Sequence, residues 1–248
     1  MEVTPEMYVP LIKRLIAENV YYVVAPYEAD AQLGYLYRSS LIDFVIAEDG
    51  DMLFYGCRRL FTKMKGGKGI LIEYDKMFQD DFRGLSDEML LYVSILAGCD
   101  YVNNIRGIGI KKATSIVKKE KTVDNILRYL EQNKNYIETC LFINIFTCRY
   151  RTDFQKALNT FRYQIVFDPI THHQRPLLDP PESFELSDHC YLGSVEEDPE
   201  HCLQLARGEL HPTTEERIDI EIPEDYDPFA FINGRKSNPG CHMNGYFN

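Results

Sequence analysis

The sequence predicts a mixed α/β fold: a parallel sheet with flanking helices, a helical region, then an acidic C-terminal extension. Three observations carry this. Val20–Ala25 and Ile42–Ala47 are short apolar, β-branched runs separated by a helical pattern, which is a βαβ unit. After Asp75 the apolar residues recur at helical spacing. The charge is also divided along the chain. Residues 179–248 hold 16 Asp and Glu against 4 Lys and Arg, whereas residues 1–178 hold 22 against 23. The net charge of −11 therefore belongs to the last third, and a phosphate-binding face in the rest is not excluded. The expected divisions are 1–84 (sheet), 85–178 (helical) and 179–248 (extension, with the end from about 233 disordered).

Thr4-Pro5-Glu6 has the signature of a helix start, and Met7, Leu11, Leu15 and Ile16 form the stripe that follows. Val20–Ala25 is the first strand, stopped by Pro26. Ala29, Leu33, Leu36 and Tyr37 mark a helix of about three turns. Ile42–Ala47 is the second strand, parallel to the first. The runs around Gly66-Gly67-Lys68-Gly69 make a β-hairpin. Ser86-Asp87-Glu88 opens a helix through Leu90, Leu91, Val93, Ile95 and Leu96, and Gly98 closes it. Further helices are expected at 110–119, 122–132, 135–147 and 150–161. A short strand is expected at 163–167 and a last helix near 196–207. Two strands are few for a parallel sheet, so the sheet reads as truncated.

Several classes are excluded. No run of 18 apolar residues predicts a transmembrane helix, and the first residues lack signal-peptide character. Seven scattered Cys without C-x-x-C, and six His confined to 172–242, give neither a disulfide framework nor zinc-ligand spacing.

The chemistry lies in the acids. Glu28 and Asp30 open the helix after the first strand; Asp49 and Asp51 follow the second. In a parallel sheet both positions fall at the carboxyl ends of strands, where sites form. Four carboxylates gathered there repel one another unless a cation is present. Oxygen donors without His or Cys select Mg²⁺ or Mn²⁺, and two such ions about 4 Å apart suit phosphoryl chemistry. The plainer alternative is that the pairs are helix caps and a polar turn. Asp100 sits just past a helix C-terminus, where an acid is electrostatically misplaced; that points to a functional reason. Beyond it, residues 105–121 carry Arg106, Lys111, Lys112, Lys118, Lys119 and Lys121 against the single acid Glu120. Gly107 and Gly109 allow close backbone approach before a helix N-terminus, which suits a duplex phosphate. The plainer alternative there is a solvated lysine-rich helix.

VAPYEADAQLGYL, IAEDGDMLFYG and ILAGCDYVNNIRGIGIKKA resemble the flap endonuclease superfamily of structure-specific 5′ nucleases. NTFRYQIVFDP, CLQLARGEL and EDYDPFAF are similar to its exonuclease 1 branch. The resemblance implies a PIN-like nuclease core and a nuclear, metal-dependent enzyme that cuts DNA at 5′ ends and 5′ flaps in replication and repair. It implies two Mg²⁺ (or Mn²⁺) ions, with Glu28, Asp30, Asp49, Asp51 and Asp100 as ligands and catalytic residues. It further implies a helix-two-turn-helix in which Arg106, Gly107, Ile108, Gly109, Lys111 and Lys112 contact double-stranded DNA, and a potassium ion held by oxygens of the Gly107–Gly109 loop. Mismatch-repair proteins are partners by resemblance only. There are two departures. The small hydroxyl residues that help hold potassium in that branch are Ala97 and Asn104 here. The family's first strand, arch and two more acids precede the region matched, so the chain is expected to carry only part of the active site. The alternatives to an active nuclease are a non-catalytic DNA-binding module and an inactive fragment.

Overall fold

The structure is a computed structural model that describes residues 5–79, 82–133, 143–211 and 214–233. The chain forms two compact units. The first joins the residues up to Asp43 with those from Tyr163 onward; the second is Phe44–Arg162.

In the first unit, α1 (Pro5–Ala17) buries Ile12, whereas Met7 and Leu11 of the predicted stripe face solvent. Ile12 lies over Gly208, where an added Cβ would meet its Cδ1 at 2.9 Å. Val20–Ala25 forms no ladder. A strand needs a partner edge, and the bonds of this segment go elsewhere: Val24 N–H donates to the Ala206 carbonyl at 2.8 Å, and the Tyr226 hydroxyl donates to the Val20 carbonyl at 2.6 Å. The predicted first strand is thus sewn to the C-terminal extension. α2 (Ala29–Arg38) follows. It packs on β4 (Ile165–Asp168), which pairs antiparallel with β5 (His173–Pro176). Helix α8 (Pro199–Arg207, labelled in chain order with the helices below) starts at an Asp198 cap, with Pro at its first turn, and stops at left-handed Gly208. Phe167, Cys202, Ala206 and Phe229 form one buried cluster. The acidic extension supplies three of those four residues.

In the second unit, β1 (Val45–Ile46) runs parallel to β2 (Arg59–Lys65), and β2 pairs antiparallel with β3 (Lys68–Glu73) in the predicted hairpin. The parallel partner of β1 is therefore β2. A short α3 (Tyr74–Met77) follows. Helix α4 (Asp87–Ala97) is capped by the Ser86 hydroxyl, which accepts from Met89 N–H at 3.1 Å; every residue from Leu90 to Leu96 is buried, as expected of a helix that is apolar nearly all round. Arg58 ties the start of β2 to this helix through Asp87 at 3.0 Å. α5 (Ile110–Glu120) packs Ala113, Ile116 and Val117 inward and meets α4 and α6 (Val123–Gln132). α7 (Ile143–Tyr163) buries Phe154, Leu158 and Phe161. The expected helix at 135–147 falls largely, and the end of the chain from 234 wholly, outside the described residues.

Buried tyrosines occur in both units, and burial is the largest cause of their raised pKa values. Tyr35 is pushed up to about 12, with the Asp168 charge adding to the effect. Tyr74, Tyr92 and Tyr150 are pushed up further. A phenol whose folded pKa exceeds its unfolded value of about 10 adds stability below that pH and loses it as pH rises through the folded pKa. Urea midpoints measured against pH should therefore hold below pH ~10 and fall above it, with tyrosinate absorbance appearing together with unfolding. Tyrosinate absorbance rising fully before any loss of structure would contradict this.

Candidate functional site

The carboxylates fall into two sets by unit. In the first unit, Glu28 occupies the cap position of α2, but its side chain makes no capping bond; Asp30 lies in the first turn, at the positive end of the helix. The corner before them is fixed from the extension. Ser194 N–H donates to the Tyr27 hydroxyl at 2.8 Å. Gly193, at φ 95°, lies against the Tyr27 ring, where a Cβ would come within 2.2 Å of it. α2 itself is clamped by buried Gln32. Its amide donates to the Phe167 carbonyl and its Oε1 accepts from Phe167 N–H, both at 2.8 Å. A side chain thus completes the edge of β4, and in doing so fixes the rotation of the helix that carries Asp30.

In the second unit, Asp49 caps the 3₁₀ turn Gly50–Leu53, its Oδ1 accepting from Asp51 N–H at 2.8 Å. The turn reading of this acid is therefore part of its role. Neighbouring Glu48 is spent on the hairpin, accepting from Lys63 N–H at 3.2 Å and Met64 N–H at 3.3 Å. Asp100 stands in the turn after α4, between the bridge partners Cys99 and Val102. The Cys99 thiol is pushed up to about 11, first by burial and then by the charges of Asp51 and Asp100.

Aromatic packing explains why these two turns meet. The 3₁₀ turn leads into Phe54 and Tyr55, and Asp100 is followed by Tyr101. The Tyr55 and Tyr101 hydroxyls are hydrogen-bonded at 2.5 Å. Phe161 of α7 lies against Phe54, Tyr55 and Tyr101, with centroid distances of 6.1, 4.9 and 5.3 Å. Sequence reasoning singled out none of Gln32, Gly193, Tyr55, Tyr101 and Phe161, because a positioning aromatic or amide looks like ordinary core.

The donor set suits a hard divalent ion, being all carboxylate oxygen. Its placement is looser: among the described residues no three His, Cys, Asp or Glu side chains converge closely enough to hold a metal ion. Within the second unit, the Tyr55–Tyr101 pair brings the turns of Asp51 and Asp100 together.

The basic segment also lies in the second unit. Arg106, Lys111 and Lys112 are exposed, while Ile105 and Ile108 are buried, Ile108 to 1% exposure. Gly107 has φ 86°, where L side chains are strained, with open space beside it. Gly109 is the N-cap of α5 and offers no side-chain cap, so first-turn N–H groups have no side-chain acceptor from it. The plainer solvated-helix alternative accounts for the lysines but not for two glycines beside a buried Ile108.

Comparison with known proteins follows the same residues. A family model, the XPG I-region, matches residues 19–100. Exonuclease 1 of Danio rerio is 36% identical over 233 residues, covering 93% of this chain and 28% of that protein. Exonuclease 1 of Xenopus laevis is 34% identical over 231 residues, covering 92% of this chain and 30% of that protein. The catalytic core of Rad2 in complex with DNA substrate aligns with a TM-score of 0.49 and 21% identity, covering 80% of this chain and 60% of that one. The chain thus spans under a third of the length of these two exonucleases. On these matches, and on the acidic motifs they contain, the chain belongs to the flap endonuclease superfamily.

Proposed function

We propose that this chain supplies ligand and DNA-contacting residues of a nuclear 5′ nuclease that hydrolyses DNA phosphodiesters at 5′ ends and 5′ flaps during replication and repair. The observation that carries the reading is that the matched region, residues 19–100, contains all five candidate carboxylates. Glu28, Asp30, Asp49, Asp51 and Asp100 would hold Mg²⁺ or Mn²⁺. When bound, such ions generate a water-derived nucleophile and neutralise charge on the scissile phosphate. The protein's own part is positional. The Tyr55–Tyr101 pair holds the turns of Asp51 and Asp100 together. Gln32 and Gly193 fix the turn of Glu28 and Asp30. Arg106, Lys111 and Lys112, with the backbone at Gly107–Gly109, meet the phosphates of the duplex and fix its register without reading sequence.

The test is calorimetric titration of the purified chain with Mg²⁺ or Mn²⁺. Asp51→Asn and Asp100→Asn should each weaken ion binding by more than the ~10–100-fold typical of residues that only support a ligand. Binding by both variants equal to that of the native chain would refute the ligand set, and flap cleavage by this chain alone, abolished by Asp100→Ala, would refute the expectation that it carries only part of the active site.

A second reading, a non-catalytic DNA-binding module, is favoured by one observation: α5 packs on the core of the second unit and leaves Lys111 and Lys112 exposed. Its mark is salt-sensitive duplex binding without cleavage, lost in Lys111→Ala/Lys112→Ala and retained in Asp51→Asn.

A further inference from the structure

The potassium ion implied by the resemblance does not fit the residues present. The last carbonyls of α4 form its negative end; Gly98 N–H donates to those of Ser94 and Ile95, so a cation would be drawn to the carbonyls beyond them. Here the Asn104 side chain reaches back and donates an amide N–H to the Ala97 carbonyl. Only the NH₂ end of a carboxamide can face a carbonyl, and an N–H donor repels a cation rather than ligating it. Ala97 adds no side-chain oxygen. The Asn104 side chain, though exposed, lies against the Gly98 backbone. Gly98, at φ 112°, lies under it, and a Cβ there would meet Asn104 Nδ2 at 3.0 Å and its Cβ at 3.1 Å. The rest of the loop closes with its own bonds. Val102 N–H donates to the Cys99 carbonyl at 3.3 Å, and Ile108 N–H to the Ile105 carbonyl at 2.9 Å. Ile105, Val102 and Ile108 are buried beneath it.

We infer that the Asn104 carboxamide takes the structural place of a monovalent cation, so that the loop from Gly98 to Gly109 is ordered by the protein alone. The loop carries Asp100 at one end and the Gly107–Gly109 phosphate contact at the other. Its order in the unliganded chain is independent of the DNA reading; its consequence for binding rests on that reading. Duplex binding would then depend on ionic strength but not on which monovalent cation supplies it.

Hydrogen exchange on the full chain tests the lock without DNA. The amides of Val102 and Ile108 should exchange at the same rate in potassium chloride and in tetramethylammonium chloride of equal ionic strength. Asn104→Ala should speed their exchange about fivefold in both salts, the size expected for one lost hydrogen bond. Asn104→Asp swaps a donor for an anion facing a carbonyl, so its protection should return only with potassium or sodium. Protection of the native chain that rises with potassium, or an Asn104→Ala variant that exchanges like the native chain, would overturn the inference. Duplex binding followed by fluorescence anisotropy in the same two salts is the second arm. Equal affinity in both is expected, and potassium-dependent affinity would overturn the inference. If binding is absent from both salts while the exchange results hold, the nucleic-acid reading fails and the lock stands.

Discussion

Phe161→Ala is expected to destabilise the second unit by about 3–5 kcal/mol, the range for removing a fully packed aromatic ring. Phe161 is 2% exposed and touches Phe54, Tyr55 and Tyr101, so its loss opens a cavity among groups that cannot all move into it. The effect should go beyond stability. The ring is what both acidic turns lean on, so removing it lets Asp51 and Asp100 drift apart. Divalent-ion binding, followed calorimetrically where the variant is still folded, should weaken more than in Leu158→Ala. That variant loses a buried aliphatic residue of the same helix. Equal weakening in the two would reduce Phe161 to plain core. Tyr101→Phe isolates the other half of the device. It keeps the ring and removes one partner of the Tyr55 hydroxyl, at a cost of about 1 kcal/mol.

Gln32→Leu is the second large effect. Leucine keeps the volume and loses both bonds to Phe167, leaving a buried backbone N–H and a buried C=O without their partner. Each such group costs about 1–3 kcal/mol, so the first unit should lose about 2–6 kcal/mol. Gln32→Glu discriminates between shape and bonding. It keeps the Oε1 acceptor and replaces the donor, so it should lie between native and leucine forms at acid pH and fall toward the leucine form once ionised. Denaturant melts monitored within the first unit check both. A Gln32→Leu midpoint equal to the native one would show that the clamp carries no stability.

Much of the chain follows from its residues taken locally. The Ser86 and Thr122 caps, the glycines of the β2–β3 hairpin and the apolar face of α5 each decide their element within a few positions. The segment Val20–Ala25 shows where this stops. Its β-branched, aromatic pattern predicts a strand. A ladder, however, is a property of two segments, and the bonds of this one go to the C-terminal end of α8 and to Tyr226 instead. α1 fails in a related way: the periodicity is helical, but Gly208, nearly two hundred positions on, decides that Ile12 rather than Leu11 is buried. The candidate site divides similarly. The acids announce themselves by spacing, whereas the groups that aim them are a glutamine, a glycine and a phenylalanine whose contacts are wholly non-local.

The discontinuity of the first unit has a consequence for the order in which the chain matures. Gln32 meets Phe167 across 135 positions, and the Tyr22 hydroxyl donates to the Arg207 carbonyl across 185. The helix bearing Asp30 therefore emerges from the ribosome long before the strand that must hold it. The second unit, Phe44–Arg162, lies within this interval and can fold as soon as it is synthesised. Synthesis would thus run from the inserted unit outward. Until the extension through Gly193 and Ser194 is complete, the Tyr27 corner before Glu28 and Asp30 is unheld, so a stalled chain would lack two of its five candidate carboxylates in any fixed position. The acidic extension is in that sense a release step that follows the rest of the fold.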